Sequence, residues 1–171
     1  MKFLPIVSLI LSATTCAHAD VADVQGFPLL SIFKTIKNLP TRSVRCGGTL
    51  PRNEVFTAHQ ISLAAKAALT HLLKGTQVDL TKAKGTRNFY PKPYGYKDPL
   101  VRFPSALCGR DDQLSEFPIT RGLYAGASTK DLAHRIVIKQ IGRKAIYCGL
   151  ITHEGAPEVS GLVAPYVNCD G

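Results

Sequence analysis

Residues 135–152 read RIVIKQIGRKAIYCGLIT. Two runs rich in β-branched residues, 135–139 and 146–152, lie on either side of a short segment that contains GRK at 142–144. β-branched residues favour strands, and a short connection with a glycine favours a tight turn between them. The stretch therefore predicts an antiparallel β-hairpin within a sheet of short strands.

The clearest helical pattern spans residues 57–73. Thr57 and Gln60 have the spacing of a capping box, and Gly75 follows as a stop signal. Apolar residues recur on one face at helical spacing: Ile61, Ala65, Ala68 and Leu72. After the helix, proline and glycine recur every few residues, as expected for short strands and turns. These patterns predict an α+β fold with one α-helix packed on a short-stranded antiparallel β-sheet.

The composition is that of an ordinary folded protein. The chain has 171 residues, of which 45% are hydrophobic, with 14 glycines and 11 prolines. Those values exclude a disordered, collagenous or coiled-coil chain and indicate one globular domain. The formal net charge of +9 points to a polyanionic partner, either a nucleic acid or an anionic membrane surface.

The amino terminus has the pattern of a secretory signal peptide. Lys2 precedes an apolar stretch at 3–11, and Ala17-His18-Ala19 resembles a cleavage site. We expect residues 1–19 to be removed and the protein to be secreted and extracellular. We expect no membrane anchor, because a spanning helix needs about 20 apolar residues. Residues 20–45 are interpreted as an N-terminal extension or propeptide, with a short helix or an extra strand as alternatives, and residues 46–171 as the main domain.

Loss of the signal peptide would remove Cys16 and leave four cysteines: Cys46, Cys108, Cys148 and Cys169. An even number of cysteines in an oxidising compartment predicts two disulfides, for which three pairings are possible. A zinc site is the alternative. The cysteines form no Cys-x-x-Cys pair, so we expect no metal site.

Three residues are candidates for chemistry on a polyanion, which needs a base, an acid and a fixed cation. Glu116 precedes Phe-Pro-Ile, Arg135 opens the first strand of the hairpin, and His153 follows the second. Strand alternation leaves open whether these side chains share one face. Taken singly, each is more typical of a surface or salt-bridge residue than of a catalytic one. His59 and His71, in the helix, are expected to be solvated or structural.

Three stretches carry a family resemblance: LSEFPIT at 114–120, AHRIVI at 133–138 and YCGLITHEGA at 147–156. Together they resemble the fungal guanyl-specific ribonucleases of the ribonuclease T-one type. The resemblance covers roughly residues 45–169 and implies the microbial ribonuclease fold. It also implies a monomer that acts on RNA without a metal or cofactor.

The resemblance assigns roles to individual residues. Glu116 would take the proton from a ribose 2′-hydroxyl, and His153 would give a proton to the leaving 5′-oxygen. Arg135 would lie against the phosphate, and Tyr90 would add a hydrogen bond. The resemblance further implies two disulfides, Cys46–Cys169 and Cys108–Cys148, each contributing about 3 to 5 kcal/mol.

Two departures from the family pattern affect the site. The family's Tyr-Pro-His is Tyr90-Pro91-Lys92 here. A charged lysine cannot accept a proton, so Lys92 retains a cation but leaves the role of base to Glu116 alone. We therefore expect turnover to be about 10- to 1,000-fold slower than with the histidine.

The second departure concerns base recognition. The family's Asn-Asn-Tyr-Glu run is matched only loosely by YGYKD at 94–98. Tyr94 and Tyr96 lie in this run; Tyr96 is expected to stack on a base, and Asp98 to accept hydrogen bonds from a guanine edge. Tyr166 takes the place of an aromatic residue at the leaving site. Because the asparagines are absent, the sequence leaves guanine preference open.

Three functions remain open on these grounds. The first is an active secreted endoribonuclease that cleaves single-stranded RNA. The second is a ribonuclease-like secreted effector with weak or no activity, which binds host RNA or host proteins. The third is a ribotoxin acting on the host ribosome, suggested by the positions of Cys108 and Cys148 but opposed by the shortness of the segment 95–114.

Overall fold

A computed structural model describes six parts of the chain: residues 35–47, 54–79, 89–95, 98–125, 133–157 and 165–170. The predicted signal peptide, residues 20–34 of the predicted extension, and Tyr96 lie outside these parts. Among the described residues, no helix is both long and apolar enough to cross a membrane.

The helix α1 spans Ala58–Lys74 and confirms the sequence prediction. Thr57 caps it: the Thr57 hydroxyl accepts from the Gln60 backbone N–H, and the Gln60 side chain accepts from the Thr57 N–H at 2.8 Å. At the other end Gly75 has φ 62°, a left-handed conformation that glycine adopts without a Cβ clash. Local residues therefore determine both ends of the helix.

Ten short strands accompany the helix in the described parts of the chain. They are β1 (Ile36–Lys37), β2 (Val44–Cys46), β3 (Glu54–Phe56), β4 (Val78–Asp79), β5 (Phe89–Tyr90), β6 (Lys92–Tyr94), β7 (Leu114–Pro118), β8 (His134–Ile141), β9 (Lys144–Thr152) and β10 (Val167–Asn168). Six form the main sheet in the order β1-β9-β8-β7-β6, with β10 also paired to β9. Its pairs are antiparallel except β1 with β9. The predicted α+β class is confirmed.

The hairpin predicted from residues 135–152 is the centre of this sheet. β8 and β9 pair from His134 with Thr152 to Ile141 with Lys144, and Gly142 has φ 56° in the turn. A register shift after Val137 marks a β-bulge. On the outer edge of β9 lies β1, which comes from the predicted N-terminal extension. That part of the extension therefore contributes an extra strand to the sheet.

Apolar side chains cover both faces of the main sheet. Helix α1 packs on one face, where its buried residues meet those of the strands, including Phe117, Ile136, Ile138 and Leu150. A second cluster covers the opposite face: Tyr94, Val101, Cys108, Leu114, Val137, Ile146, Cys148 and Ile151. Because neighbouring residues of a strand point to opposite faces, the long runs of apolar residues in β8 and β9 supply both clusters.

Two disulfides join distant parts of the chain. Cys46 of β2 is bonded to Cys169, and Cys108, in the segment before β7, is bonded to Cys148 of β9. Their sequence separations are 123 and 40 residues. The pairing implied by the family resemblance is confirmed.

Candidate active site

Strand register brings the predicted residues to one face of the main sheet. Lys92 of β6 is paired with Glu116 of β7, and Glu116 with Val137 of β8. Arg135 lies two residues before Val137 on the same strand and therefore shares its face. This is the face opposite to helix α1, and Lys92, Glu116 and Arg135 all project from it.

The Glu116 carboxylate is buried beneath a lysine. Only 4% of its side chain is exposed, and the Lys92 Nζ lies 3.2 Å from Glu116 Oε1. Burial raises the pKa of the Glu116 carboxyl, and the positive charges of Lys92 and then Arg135 offset part of that rise. Lys92 is 38% exposed, so the lysine, and not the carboxylate, is the accessible member of the pair. Any anion that binds Lys92 must therefore compete with Glu116 for it.

Arg135 is held by Tyr90 and by the backbone. Its Nε and Nη2 donate hydrogen bonds to the Tyr90 hydroxyl at 3.2 and 3.1 Å, and its Nη1 donates to the His134 carbonyl at 3.0 Å. Only 5% of Arg135 is exposed. A hydroxyl that accepts two bonds still has its own proton to donate. Tyr90 thus orients the guanidinium and carries a further donor into the site.

His153 lies at the end of β9 and stacks on Tyr166. The two ring centroids are 3.6 Å apart and the rings are inclined by 26°. His153 Nδ1 lies 2.9 Å from the Pro165 carbonyl oxygen, which fixes the ring and favours a proton on Nδ1. Burial raises the pKa of Tyr166, while the charge of Arg135 lowers it and that of Glu116 raises it. The Tyr166 ring, on which His153 stacks, is thus within electrostatic range of Arg135 and Glu116.

The predicted base-recognition residues have positioning roles in the structure. The Tyr94 hydroxyl donates to Asp98 Oδ2 at 3.2 Å, and the backbone N–H of Tyr166 donates to Asp98 Oδ1 at 3.0 Å. Tyr94 is buried and packs edge-on against Tyr166, with ring centroids 6.4 Å apart. Asp98 therefore holds the ring on which His153 stacks.

Phe103 was not singled out from the sequence. A Cβ added to Gly149 would lie 3.1 Å from Phe103 Cδ1, so only glycine allows this ring to pack so closely on β9. Phe103 also packs edge-on against Tyr94, with centroids 5.9 Å apart. The signal in the sequence that corresponds to this contact is a glycine in the interior of a strand, a signal that the predictions above do not use.

The helix histidines match their prediction. His59 is exposed. His71 stacks on Phe117 with centroids 6.0 Å apart, and its Nδ1 lies 3.0 Å from the Thr76 hydroxyl. Neither residue is part of the face that carries Glu116.

No protein-family model and no curated protein matches this chain. The resemblance to guanyl-specific ribonucleases therefore stays a prediction from the quoted motifs. What the structure contributes is a geometry: the Glu116 carboxylate and the Arg135 guanidinium lie on one face of the main sheet. The Tyr90 hydroxyl binds the guanidinium, and the His153 imidazole, just after β9, stacks on Tyr166.

Proposed function

We propose that this protein is a secreted endoribonuclease that cleaves single-stranded RNA by transphosphorylation. The observation that supports this most is the strand register, which aligns Lys92 with Glu116 and sets Arg135 on the same face. Carboxylate, cation and imidazole are the groups that proton transfer at a phosphodiester requires. The quoted family motifs independently favour the same reaction.

In the first step, Glu116 takes the proton from the ribose 2′-hydroxyl. The 2′-oxygen attacks the adjacent phosphorus, and the bond from phosphorus to the 5′-oxygen breaks. His153 gives that oxygen its proton, so the products are a 2′,3′-cyclic phosphate and a free 5′-hydroxyl. With Nδ1 held at the Pro165 carbonyl, the Nε2 of His153 is the nitrogen that transfers the proton.

Arg135 stabilises the charge that builds on the phosphate oxygens in the transition state. Its guanidinium is buried and fixed by two bonds to Tyr90, so little reorganisation is needed when the charge develops. Water then opens the cyclic phosphate, with His153 as base and Glu116 as acid. DNA lacks the 2′-hydroxyl and is expected to bind without being cut.

Electrostatic attraction accounts for substrate capture. The net charge, +9 for the whole chain and 9 − 1 = +8 without Lys2 of the predicted signal peptide, attracts RNA without selecting its sequence, and this attraction weakens as salt rises. Guanine preference is part of the proposal through the family resemblance alone. Of the residues predicted to recognise the base, Tyr94 and Asp98 lie in the described parts of the chain.

A direct test compares cleavage of guanine-containing dinucleotides, total RNA and intact ribosomes. We expect dinucleotides and total RNA to be cut, and H153A to lower the rate by about 10²- to 10⁴-fold because the leaving oxygen loses its acid. H59A, at an exposed helix histidine, is the matched control and should cleave normally. A single discrete ribosomal fragment would instead indicate a ribotoxin. Absence of all cleavage by the folded protein would overturn the enzyme proposal.

The second candidate is a ribonuclease-like effector that binds host RNA or host proteins. One observation favours it: the Glu116 carboxylate is nearly inaccessible and already paired with Lys92 at 3.2 Å. A carboxylate that is buried and covered in this way is hard for a ribose hydroxyl to reach. RNA binding that persists without cleavage, and is unchanged by H153A, would support this candidate.

Lys92 should influence the acid limb of the pH–rate profile. The limb is expected above 4.5, the ordinary pKa of glutamic acid, because burial raises the pKa of Glu116. In K92M the limb should move to still higher pH, since the largest effect that lowers this pKa is lost. K92R retains the charge and should retain the limb. The measurement is kcat/KM for a dinucleotide against pH, and an acid limb that K92M leaves in place would contradict this role of Lys92.

Replacing Lys92 by histidine restores the Tyr-Pro-His of the family and tests whether the lysine slows the reaction. An imidazole beside Glu116 can accept a proton, which the lysine ammonium cannot. We expect K92H to raise the rate of RNA cleavage by about 10- to 1,000-fold. An unchanged or lower rate, measured at the pH optimum of each variant, would show that the lysine is not the reason for slow turnover.

A further inference from the structure

A second group of polar residues lies on the other face of β8. His134 precedes Arg135, so the two side chains point to opposite faces. The His134 Nε2 lies 3.2 Å from Glu54 Oε2 and 3.7 Å from Glu154 Oε2, while only 4% of the side chain is exposed. Among the described residues, none makes a hydrogen bond to the other ring nitrogen, Nδ1. A buried nitrogen without a partner is uncommon and calls for an explanation.

The same histidine lies beside a disulfide. A ring nitrogen of His134 and the sulfurs of Cys46 and Cys169 all lie within 4.8 Å of one another. Two sulfurs and one imidazole are a ligand set that zinc binds in proteins, with water as the fourth ligand. Metal-ligating histidines usually donate their second N–H to a carboxylate, and Glu54 is in position to accept it.

We propose that reduction of the Cys46–Cys169 disulfide creates a zinc site whose ligands are Cys46, Cys169 and His134. A thiol reductant such as glutathione supplies two electrons and two protons, which convert the disulfide to two thiols and leave the reductant as its own disulfide. Zn²⁺ then binds the two sulfurs as thiolates, and two protons are released. The neutral His134 ring ligates through Nδ1 while Nε2 keeps its bond to Glu54.

Within the part of the chain that the structure describes, the second disulfide, Cys108–Cys148, has no histidine or carboxylate beside it that could act as a third ligand. Among the described residues, only the Cys46–Cys169 pair has a third possible ligand within reach, and the Cys108–Cys148 pair belongs to no such group. The site would thus replace one covalent link by a metal link, keeping Cys169 bound to β2 after reduction. Such an exchange matters for a secreted protein that later meets a reducing compartment. It is independent of RNA cleavage.

The test uses the purified protein, reduced with a phosphine, and Co²⁺ as a spectroscopic substitute for Zn²⁺. We expect one Co²⁺ per chain with thiolate-to-cobalt absorption, displaced by Zn²⁺, and no such absorption in the oxidised protein. H134Q should weaken binding at least about 100-fold, and E54Q, which loses only the supporting carboxylate, about 10-fold. Reduced C108S/C148S should bind Co²⁺ as tightly as the reduced wild type does. Reduced C46S/C169S should show no thiolate-to-cobalt absorption.

Two results would overturn the proposal. One is equal Co²⁺ affinity in H134Q and wild type, which would mean that thiols bind the metal without a formed site. The other is binding by C46S/C169S equal to that of C108S/C148S. Circular dichroism of each reduced variant identifies unfolding, and a reduced wild type that unfolds and does not refold on adding Zn²⁺ would also reject the site.

Discussion

E116Q should slow RNA cleavage by about 10²- to 10⁴-fold, the range that a positioned general base contributes. Glutamine keeps the shape of the buried side chain but cannot take the proton from a 2′-hydroxyl. Lys92 and Arg135 remain in place, so RNA binding should change much less than the rate. Single-turnover cleavage and equilibrium binding of the same oligonucleotide separate the two effects.

The matched control is D112N. Asp112 also forms an ion pair with a lysine, its Oδ1 lying 2.5 Å from Lys139 Nζ, but it precedes β7 and is not among the residues assigned to catalysis. The D112N variant should cleave RNA at the wild-type rate. If E116Q retains full activity, or if D112N loses as much as E116Q, the assignment of Glu116 as the base is wrong.

E116Q also has a stability readout. Because burial raises the pKa of Glu116, the folded state favours the protonated carboxyl. The wild-type protein should therefore lose stability as pH rises from 4.5, the ordinary value, through the raised pKa, and this loss should be absent in E116Q. Chemical denaturation at a series of pH values measures it. If the free energies of unfolding of the two proteins depend on pH in the same way, burial does not destabilise the ionised carboxyl of Glu116.

Removal of the Cys46–Cys169 disulfide should lower the free energy of unfolding by about 5 kcal/mol, and removal of Cys108–Cys148 by about 4 kcal/mol. The difference follows from loop length, since the two bonds span 123 and 40 residues and the longer loop gains more entropy in the unfolded chain. The measurement is urea unfolding of C46S/C169S and C108S/C148S under non-oxidising, metal-free conditions.

Each double variant is the control for the other, because both replace two buried or half-buried cysteines by serines. A larger loss in C108S/C148S would contradict the loop-length explanation. It would instead indicate that packing around Cys148, in the cluster with Val137 and Ile151, dominates.

Elements with local causes were predictable from the chain alone. The capping box of Thr57 and Gln60 acts over one helical turn, and the glycine at 142 acts within one tight turn. The strand at 36–37 had no such signal: two residues pair with β9 because the sheet offers an open edge, and the sequence left an extra strand as only one of three alternatives.

The candidate site shows the same division. Motifs identified Glu116, Arg135 and His153, since each lies in a recognisable run. The motifs did not reveal that Lys92 covers Glu116, because that contact depends on the register of β6 against β7. Nor did they reveal that Asp98 holds Tyr166, a contact between residues 98 and 166 that no local pattern encodes.

The residue types and their order along the chain thus specify the helix, the hairpin, an even set of cysteines and the chemical groups available for catalysis. The face on which those groups meet depends on how separate strands pair, and so do their burial and their partners. His134 illustrates the physical reason. Next to Arg135 in sequence, it lies on the opposite face, and it meets Cys46 and Cys169 only because β2, β8 and the C-terminal segment pack together. The sequence predicts no metal site because the chain has no Cys-x-x-Cys pair. The zinc site that we propose rests instead on closeness in space, which depends on the tertiary structure.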